Sequence, residues 1–383
     1  MAAELLSCFA TTAPGLEAIL GAELGTGGLA VREIEPGGVG FDATPAQLAA
    51  SLIGLRTANR VSIRLASFRA RTFAELERHG AAVDWARVLA PGGRVHFRVT
   101  SKKSRLYHEG AIAERLERAA QGAVAGLEAV RAAGQAEALE DDVLRPPGVQ
   151  RIIVRVHRDE VTLSADASGG SLHRRGYRLA TAKAPLRETL AAAMLLGCGW
   201  EPGEPLVDPM CGSGTLAIEA ALIARRIAPG RRRRFAAEGW PMLAAADFAA
   251  ARELAATAEL ASALAAIACQ DRDRGAIEAA RANAERAGVA ADIAFTVAPL
   301  SALPADTGPG WIVTNPPYGV RVGEANRLRS LYAALGQLLV TRRPNSSLAM
   351  LSANPMLAGQ VGVAFAERWR TSNGGIEVRL LVA

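Results

Sequence analysis

LVDPMCGSGTLAIEAALIA, residues 206–224, runs from a short apolar strand through Asp208 and a glycine loop into an alanine-rich helix. That order is the opening βα unit of a doubly wound sheet. Gly212 and Gly214 lack a β-carbon, so the backbone can approach a ligand that a side chain would exclude. The start of the helix adds free N–H groups and Asp208 adds a carboxylate. The segment therefore suits a ligand with both anionic and cationic groups. An α/β pattern continues from it, with a helix over 186–196, strands at 266–269 and near Ile293 and Ile312, and a helix over 275–287.

Gly212-Ser213-Gly214-Thr215-Leu216-Ala217 also satisfies the GxGxxA dinucleotide fingerprint. The ribose-binding acid of a dinucleotide site should follow about twenty residues on. Here that region reads ARRIAPGRRRRFAAEGW, arginine-rich and broken by Pro229-Gly230. The next convincing strand, ALAAIACQD, ends in Asp271, a strand-end acid open to two readings, a cap for the helix that follows or, as in class I methyltransferases, an acceptor for ribose hydroxyls. S-adenosylmethionine, with an α-carboxylate, an ammonium and a sulfonium, fits the loop and Asp208 better than a pyrophosphate does. The second motif is Asn315-Pro316-Pro317-Tyr318, after the apolar strand WIVT. Proline removes backbone donors and fixes φ, which leaves carbonyls to accept bonds from an incoming amine. The Asn315 side-chain oxygen is a second acceptor, and Tyr318 can stack on an extruded base. In isolation NPPY is equally an ordinary turn; its position after a DPxCGSG loop favours chemistry.

Residues 186–383 resemble the UPF0020-type catalytic domain of THUMP-containing RNA methyltransferases, including the bacterial guanine-N2 enzymes of large-subunit rRNA. The resemblance rests on SLHRRGYR (171–178), APLRETLAAAML (184–195), DPMCGSGTLAIEAA (208–221), DRDRGAIEAARANAERAGV (271–289) and TNPPYGVRV (314–322). Upstream, SKKSRLYHEGAIAERL (101–116) is similar to the RNA-binding THUMP module, and CFATTAPGLEAILGAEL to the ferredoxin-like unit that precedes it. The resemblance implies a seven-stranded doubly wound Rossmann-like methyltransferase domain after an α+β ferredoxin-like and THUMP region. It implies S-adenosylmethionine as cofactor, held by Asp208, Met210, Cys211, Gly212, Gly214, Asp271, Arg272 and Asn315, and a target base held by Asn315, Pro316, Pro317 and Tyr318. The chain departs from the family in one loop. Val297-Ala298-Pro299-Leu300 lacks the usual acid facing the adenine amino group, so adenine recognition must use backbone groups or the cofactor binds less tightly.

The 383 residues favour more than one domain. The expected division is a ferredoxin-like unit at 1–70, reading strand, helix, strand, helix; a THUMP unit at 71–165; a Gly/Ser/Arg linker at 166–185; and the catalytic domain at 186–383. In the second unit a strand over 94–100, a helix from Gly110 with Ile112, Leu116 and Ala120 on one face, a turn at Arg145-Pro146-Pro147-Gly148 and two strands around Arg158–Glu160 are expected. Cys8, Cys198, Cys211 and Cys269 lack metal spacing and read as buried thiols, and the five histidines form no HExxH or Ser/His/Asp pattern. No metal site is expected. Neither a membrane-spanning stretch nor an export signal is legible, so a cytoplasmic location is expected. The net charge of +6 suits a polyanion. The partner expected is structured RNA, rRNA before tRNA, with no obligate protein partner; adenine N6 in nucleic acid or a glutamine amide in protein stays open as the target, since enzymes for all three use NPPY. Lys102, Lys103 and Arg105, then Arg174, Arg175 and Arg178, are the candidate phosphate contacts. The third cluster, Arg225 and Arg226 followed by the run Arg231–Arg234, is balanced between RNA contact and a solvated loop.

Overall fold

The structure is a computed structural model that describes residues 4–130, 148–179, 186–319 and 324–383. Its first half contains β1 (Leu6–Thr11), α1 (Glu17–Thr26), β2 (Ala30–Glu35), β3 (Gly38–Ala43), α2 (Pro45–Gly54) and β4 (Arg60–Arg69). There follow α3 (Phe73–Ala81), β5 (Arg94–Lys102), α4 (Glu109–Ala123), β6 (Glu128–Ala129), β7 (Val149–His157) and β8 (Glu160–Asp166). Local chemistry sets the helix starts: Thr44 with Gln47, and Thr72 with Glu75, close reciprocal capping boxes on α2 and α3. Ile112, Leu116 and Ala120 of α4 are buried, the stripe that their spacing predicts.

These strands form one eight-stranded sheet, ordered β2-β3-β1-β4-β8-β7-β5-β6. The two expected N-terminal units are therefore joined edge to edge, through the antiparallel pairing of β4 with β8. The first unit also has four strands, not two. β2 escapes the sequence because it lies at the sheet edge with its side chains largely exposed, so burial imposes no alternation on it. In the described part of the 166–185 segment, Ala167, Ser168, Leu172 and Tyr177 are all buried. Residues 145–147 of the expected turn, residues 180–185, and Val320, Arg321 and Val322 of the last quoted motif lie outside the described residues.

The second half contains α5 (Glu188–Cys198), β9 (Leu206–Asp208), α6 (Thr215–Ala224), α7 (Ala245–Thr257), β10 (Ile267–Asp271), α8 (Arg274–Ala287) and β11 (Ile293–Val297). It ends with β12 (Gly310–Thr314), α9 (Glu324–Arg342), β13 (Ser346–Ser352), α10 (Pro355–Gly359), β14 (Ala366–Asn373) and β15 (Ile376–Val382). Its seven-stranded sheet is ordered β11-β10-β9-β12-β13-β15-β14. β9 to β13 pair in parallel, and β15 runs antiparallel to its neighbours. Apolar clusters cover both faces, one built around Leu190, Leu216 and Ile277 and the other around Ile312, Tyr332 and Leu348. The strand order reverses between β9 and β12, and that crevice is where an open α/β sheet binds its ligand.

One excursion of this half belongs to the core of the other. Phe235, Trp240 and Phe248 are buried in the same cluster as Phe41, Leu76 and Trp85, with α7 packed on α2. Each buried phenylalanine contributes about 1.5–3 kcal/mol. The excursion thus fastens the cofactor sheet to the N-terminal sheet.

Candidate active site

The glycine loop leaves β9 at Asp208, which is buried, with Oδ1 accepting from Thr314 Oγ1 at 2.8 Å and from Met210 N at 3.2 Å. Burial pushes the Asp208 carboxyl up to about 7, against the pull of these two bonds. Asp208 thereby ties the end of β9 to the residue immediately before the NPPY turn on β12. Gly212 and Gly214 both have positive φ, +51° and +82°, a region that favours glycine. A β-carbon on Gly214 would lie 2.8 Å from Ala280 Cβ of α8, whereas the space beside Gly212 is open. The first glycine leaves room for a ligand, and the second lets α6 and α8 approach.

Asp271, at the end of β10, closes the loop from the far side: Oδ2 accepts from Gly212 N at 3.0 Å and Oδ1 from Asp273 N at 3.0 Å. The adjoining Arg272 is exposed. Cys211 is buried beside Cys269, and that neighbour together with burial raises its thiol pKa far above the usual range, so it packs as an inert thiol. All four cysteines are free and buried. In the departing loop, Ala298 N is already bonded to Asp271 O and the Pro299 carbonyl to Gln270 Nε2. Across the switch point, Tyr318 donates to Asn315 Oδ1 at 2.6 Å and accepts from Asn373 Nδ2 at 3.1 Å. Tyr332 donates to the Pro317 carbonyl at 3.0 Å. Burial raises the Tyr318 phenol to about 12, so it is a neutral donor at physiological pH. Thr314, Tyr332 and Asn373 carry no motif of their own, and only the fold brings them to the turn. Thr314 had the nearest signal, standing directly before Asn315.

Of the basic candidates, Lys102, Lys103 and Arg105 are exposed. Their loop is stitched to the β7–β8 turn: Arg158 N bonds Lys102 O, and Arg105 N and Arg71 Nε both reach the Asp159 carboxylate. The tip therefore gathers Arg71 and Arg158 as well, which sequence spacing conceals. Arg174 is exposed, but Arg175 and Arg178 must be withdrawn as phosphate contacts. The Arg175 side chain is 3% exposed, with Nε 3.7 Å from Glu219, and it donates to the carbonyls of Leu172 and Arg56. Arg178 pairs with Glu188 at 3.1 Å and donates to Leu186 O and Thr215 Oγ1. Burial lifts the Glu188 carboxyl to about 7, opposed by Arg178. In the arginine run, Arg231 pairs with Glu259, Arg232 and Arg233 donate to carbonyls, and Arg234 is exposed. Among the described residues no three His, Cys, Asp or Glu side chains converge as a metal site would, and no helix is long and apolar enough to cross a membrane.

A glycine loop and second-strand acid on one side of a topological switch point, with an NPPY turn on the other, define a Rossmann-like methyltransferase domain. Residues 175–379 match the RMKL-like methyltransferase domain family, and residues 7–62 match the RlmL ferredoxin-like domain. The chain belongs to the RMKL-like methyltransferase family, and its cofactor is S-adenosylmethionine. It is 38% identical over 391 residues to the ribosomal RNA large subunit methyltransferase K/L of Syntrophotalea carbinolica, covering 97% of this chain and 53% of the relative. The chain thus spans about half the length of that curated relative. Among solved structures, a predicted N6-adenine-specific DNA methylase from Listeria monocytogenes is 32% identical, with a TM-score of 0.85 over 98% of this chain and 96% of that one. A protein complexed with S-adenosylhomocysteine is 30% identical, with a TM-score of 0.85 over 99% and 98% of the two chains.

The open space at Gly212 and the paired acid of Asp271 suit the cofactor's nucleoside end. Losing a buried acceptor costs about 1–3 kcal/mol. Asp271→Ala is therefore expected to weaken S-adenosylmethionine binding by about ten- to a hundredfold, read by calorimetry. Unchanged affinity in a folded variant removes Asp271 from the ribose.

Proposed function

We propose that this chain methylates the exocyclic N2 of a guanine in structured RNA, in large-subunit rRNA before tRNA. The observation that carries the proposal is the NPPY turn held at the switch point by Thr314, Tyr332 and Asn373. An exocyclic base nitrogen is a poor nucleophile because its lone pair is delocalised into the ring. Two acceptors on its hydrogens, Asn315 Oδ1 and the Pro316 carbonyl, turn that lone pair outward, and no described residue donates to the Pro316 carbonyl. Tyr318 supplies a ring against the base face. S-adenosylmethionine, when bound, supplies an electrophilic methyl group. The protein's contribution is alignment; the nitrogen becomes cationic on transfer and releases its proton to water, so no strong base is needed.

The basic tip around Lys102, Lys103, Arg105, Arg71 and Arg158 supports RNA as substrate, with the exposed Arg174 as a further phosphate contact, and residues 71–165 serve as the THUMP module. The name of the 38% identical relative supports rRNA. The same turn serves adenine N6, which the name of the Listeria relative favours as a second reading. The test is incubation with S-adenosylmethionine and unmodified rRNA, tRNA or DNA, followed by nucleoside mass spectrometry. N2-methylguanosine in large-subunit rRNA is expected. N6-methyladenine, or no product in any RNA, overturns the assignment.

A further inference from the structure

The side chain of Asn373 reaches the NPPY turn from the far edge of the sheet. β14 and β15 are joined by Gly374-Gly375, with Asn373 paired to Ile376. Both glycines have positive φ, +59° and +83°, as a two-residue type I′ hairpin demands. This turn fixes the register, and a slip of one residue would send Asn373 to the opposite face. In register, Asn373 Nδ2 donates to the Tyr318 hydroxyl at 3.1 Å, and that hydroxyl donates to Asn315 Oδ1 at 2.6 Å.

The relay has a direction. The Asn373 amide nitrogen can only donate, so the phenol oxygen accepts there and turns its own proton to Asn315. A donor at that point fixes which end of the Asn315 amide faces the phenol. An amide flipped by 180° would set N–H against O–H. Since an amide oxygen accepts two bonds, Oδ1 keeps one lone pair for the substrate amine. We infer that Asn373 is a positioning residue for methyl transfer, which acts through the Tyr318 hydroxyl to hold the Asn315 amide oxygen toward the accepting amine. The inference rests on the proposed amine chemistry of the turn.

The test compares Asn373→Ala, Asn373→Asp and Tyr318→Phe with each double variant, all in the full-length protein. Losing a hydrogen bond of ordinary net strength should lower kcat in Asn373→Ala by about two- to twelvefold. The KM for RNA and the cofactor affinity should stay near wild type. Asn373→Asp should fall further, because the isosteric carboxylate only accepts and draws the phenol proton away from Asn315. In the Tyr318→Phe background both changes should lose their effect, since they act through one hydroxyl. A readout free of cofactor and RNA is the 13Cζ NMR resonance of Tyr318, one of four tyrosines in the chain, which should shift in Asn373→Ala. Wild-type kcat with an unmoved resonance, or effects that add in the Tyr318→Phe background, overturns the proposal. If Asn315→Ala turns over at the wild-type rate, the amine chemistry fails and this role fails with it. If Asn315→Ala is inactive while both Asn373 variants match wild type, only the role of Asn373 fails.

Discussion

Glu219→Ala is expected to lower the stability of the protein by about 3–5 kcal/mol, the usual cost of breaking a buried ion pair by removing one partner. Glu219 lies on α6, five residues beyond the second loop glycine, and is wholly buried. It accepts from Tyr177 Oη at 3.0 Å and lies 3.7 Å from Arg175 Nε. Arg56, from the end of α2, donates to the carbonyls of Ile227 and Leu222 and feels the Glu219 charge. Alanine would leave Arg175 buried without its nearest carboxylate, Arg56 with only the Glu23 charge, and a phenol without its acceptor. Against a typical total of about 5–15 kcal/mol the loss is large. Urea unfolding should therefore show a lower midpoint, with a smaller drop for Glu219→Gln, which keeps an acceptor for Tyr177. A change below about 1 kcal/mol in Glu219→Ala would mean that the cluster is hydrated and does not clamp the N-terminal half to the cofactor helix.

That cluster also explains what could and could not be read from the sequence. The βα unit at 206–224 was legible because glycine, strand length and helical composition are local properties, and so were the strands at 266–269 and near Ile293 and Ile312, whereas β13 to β15 and the sheet order were not. Asp271 was legible for the same reason, as an acid at a strand end, and Asn315 to Tyr318 as a turn with stripped donors. SLHRRGYR misled because arginines among glycine and serine look solvated until their acceptors are known. Glu219 is 44 residues from Arg175 and sits in an alanine-rich helix whose pattern marks no polar face. Nothing local pairs the two. Arg178 likewise finds Glu188 and Thr215 only after α5 and α6 have packed. Asn373 was hidden further still. Its placement depends on a hairpin register and on the antiparallel docking of β15 against β13.

At the NPPY turn, removal of the Asn315 amide and removal of the Tyr318 ring are expected to fail in different steps. If Asn315 Oδ1 accepts from the amine more strongly as the nitrogen becomes cationic, Asn315→Ala loses a stabilisation made mainly in the transition state. By analogy with the loss of one oxyanion-hole donor, worth about 2.7–4 kcal/mol, turnover should fall by about a hundredfold or more. Tyr318→Ala removes a base-stacking surface worth about 1–3 kcal/mol, which should appear as weaker capture of the extruded base. It also removes the hydroxyl that orients Asn315, so its kcat should fall in addition, by no more than the loss in Tyr318→Phe. Neither side chain reaches Gly212 or Asp271 by a hydrogen bond among the described residues, so cofactor affinity in Tyr318→Ala should stay near wild type. Single-turnover methyl transfer to unmodified RNA over a range of RNA concentrations separates capture from chemistry, and calorimetric titration of the cofactor supplies the control. Full activity in both variants would reduce NPPY to a strand-end turn, and methylation of an exocyclic amine would have to be abandoned as the reaction of this site.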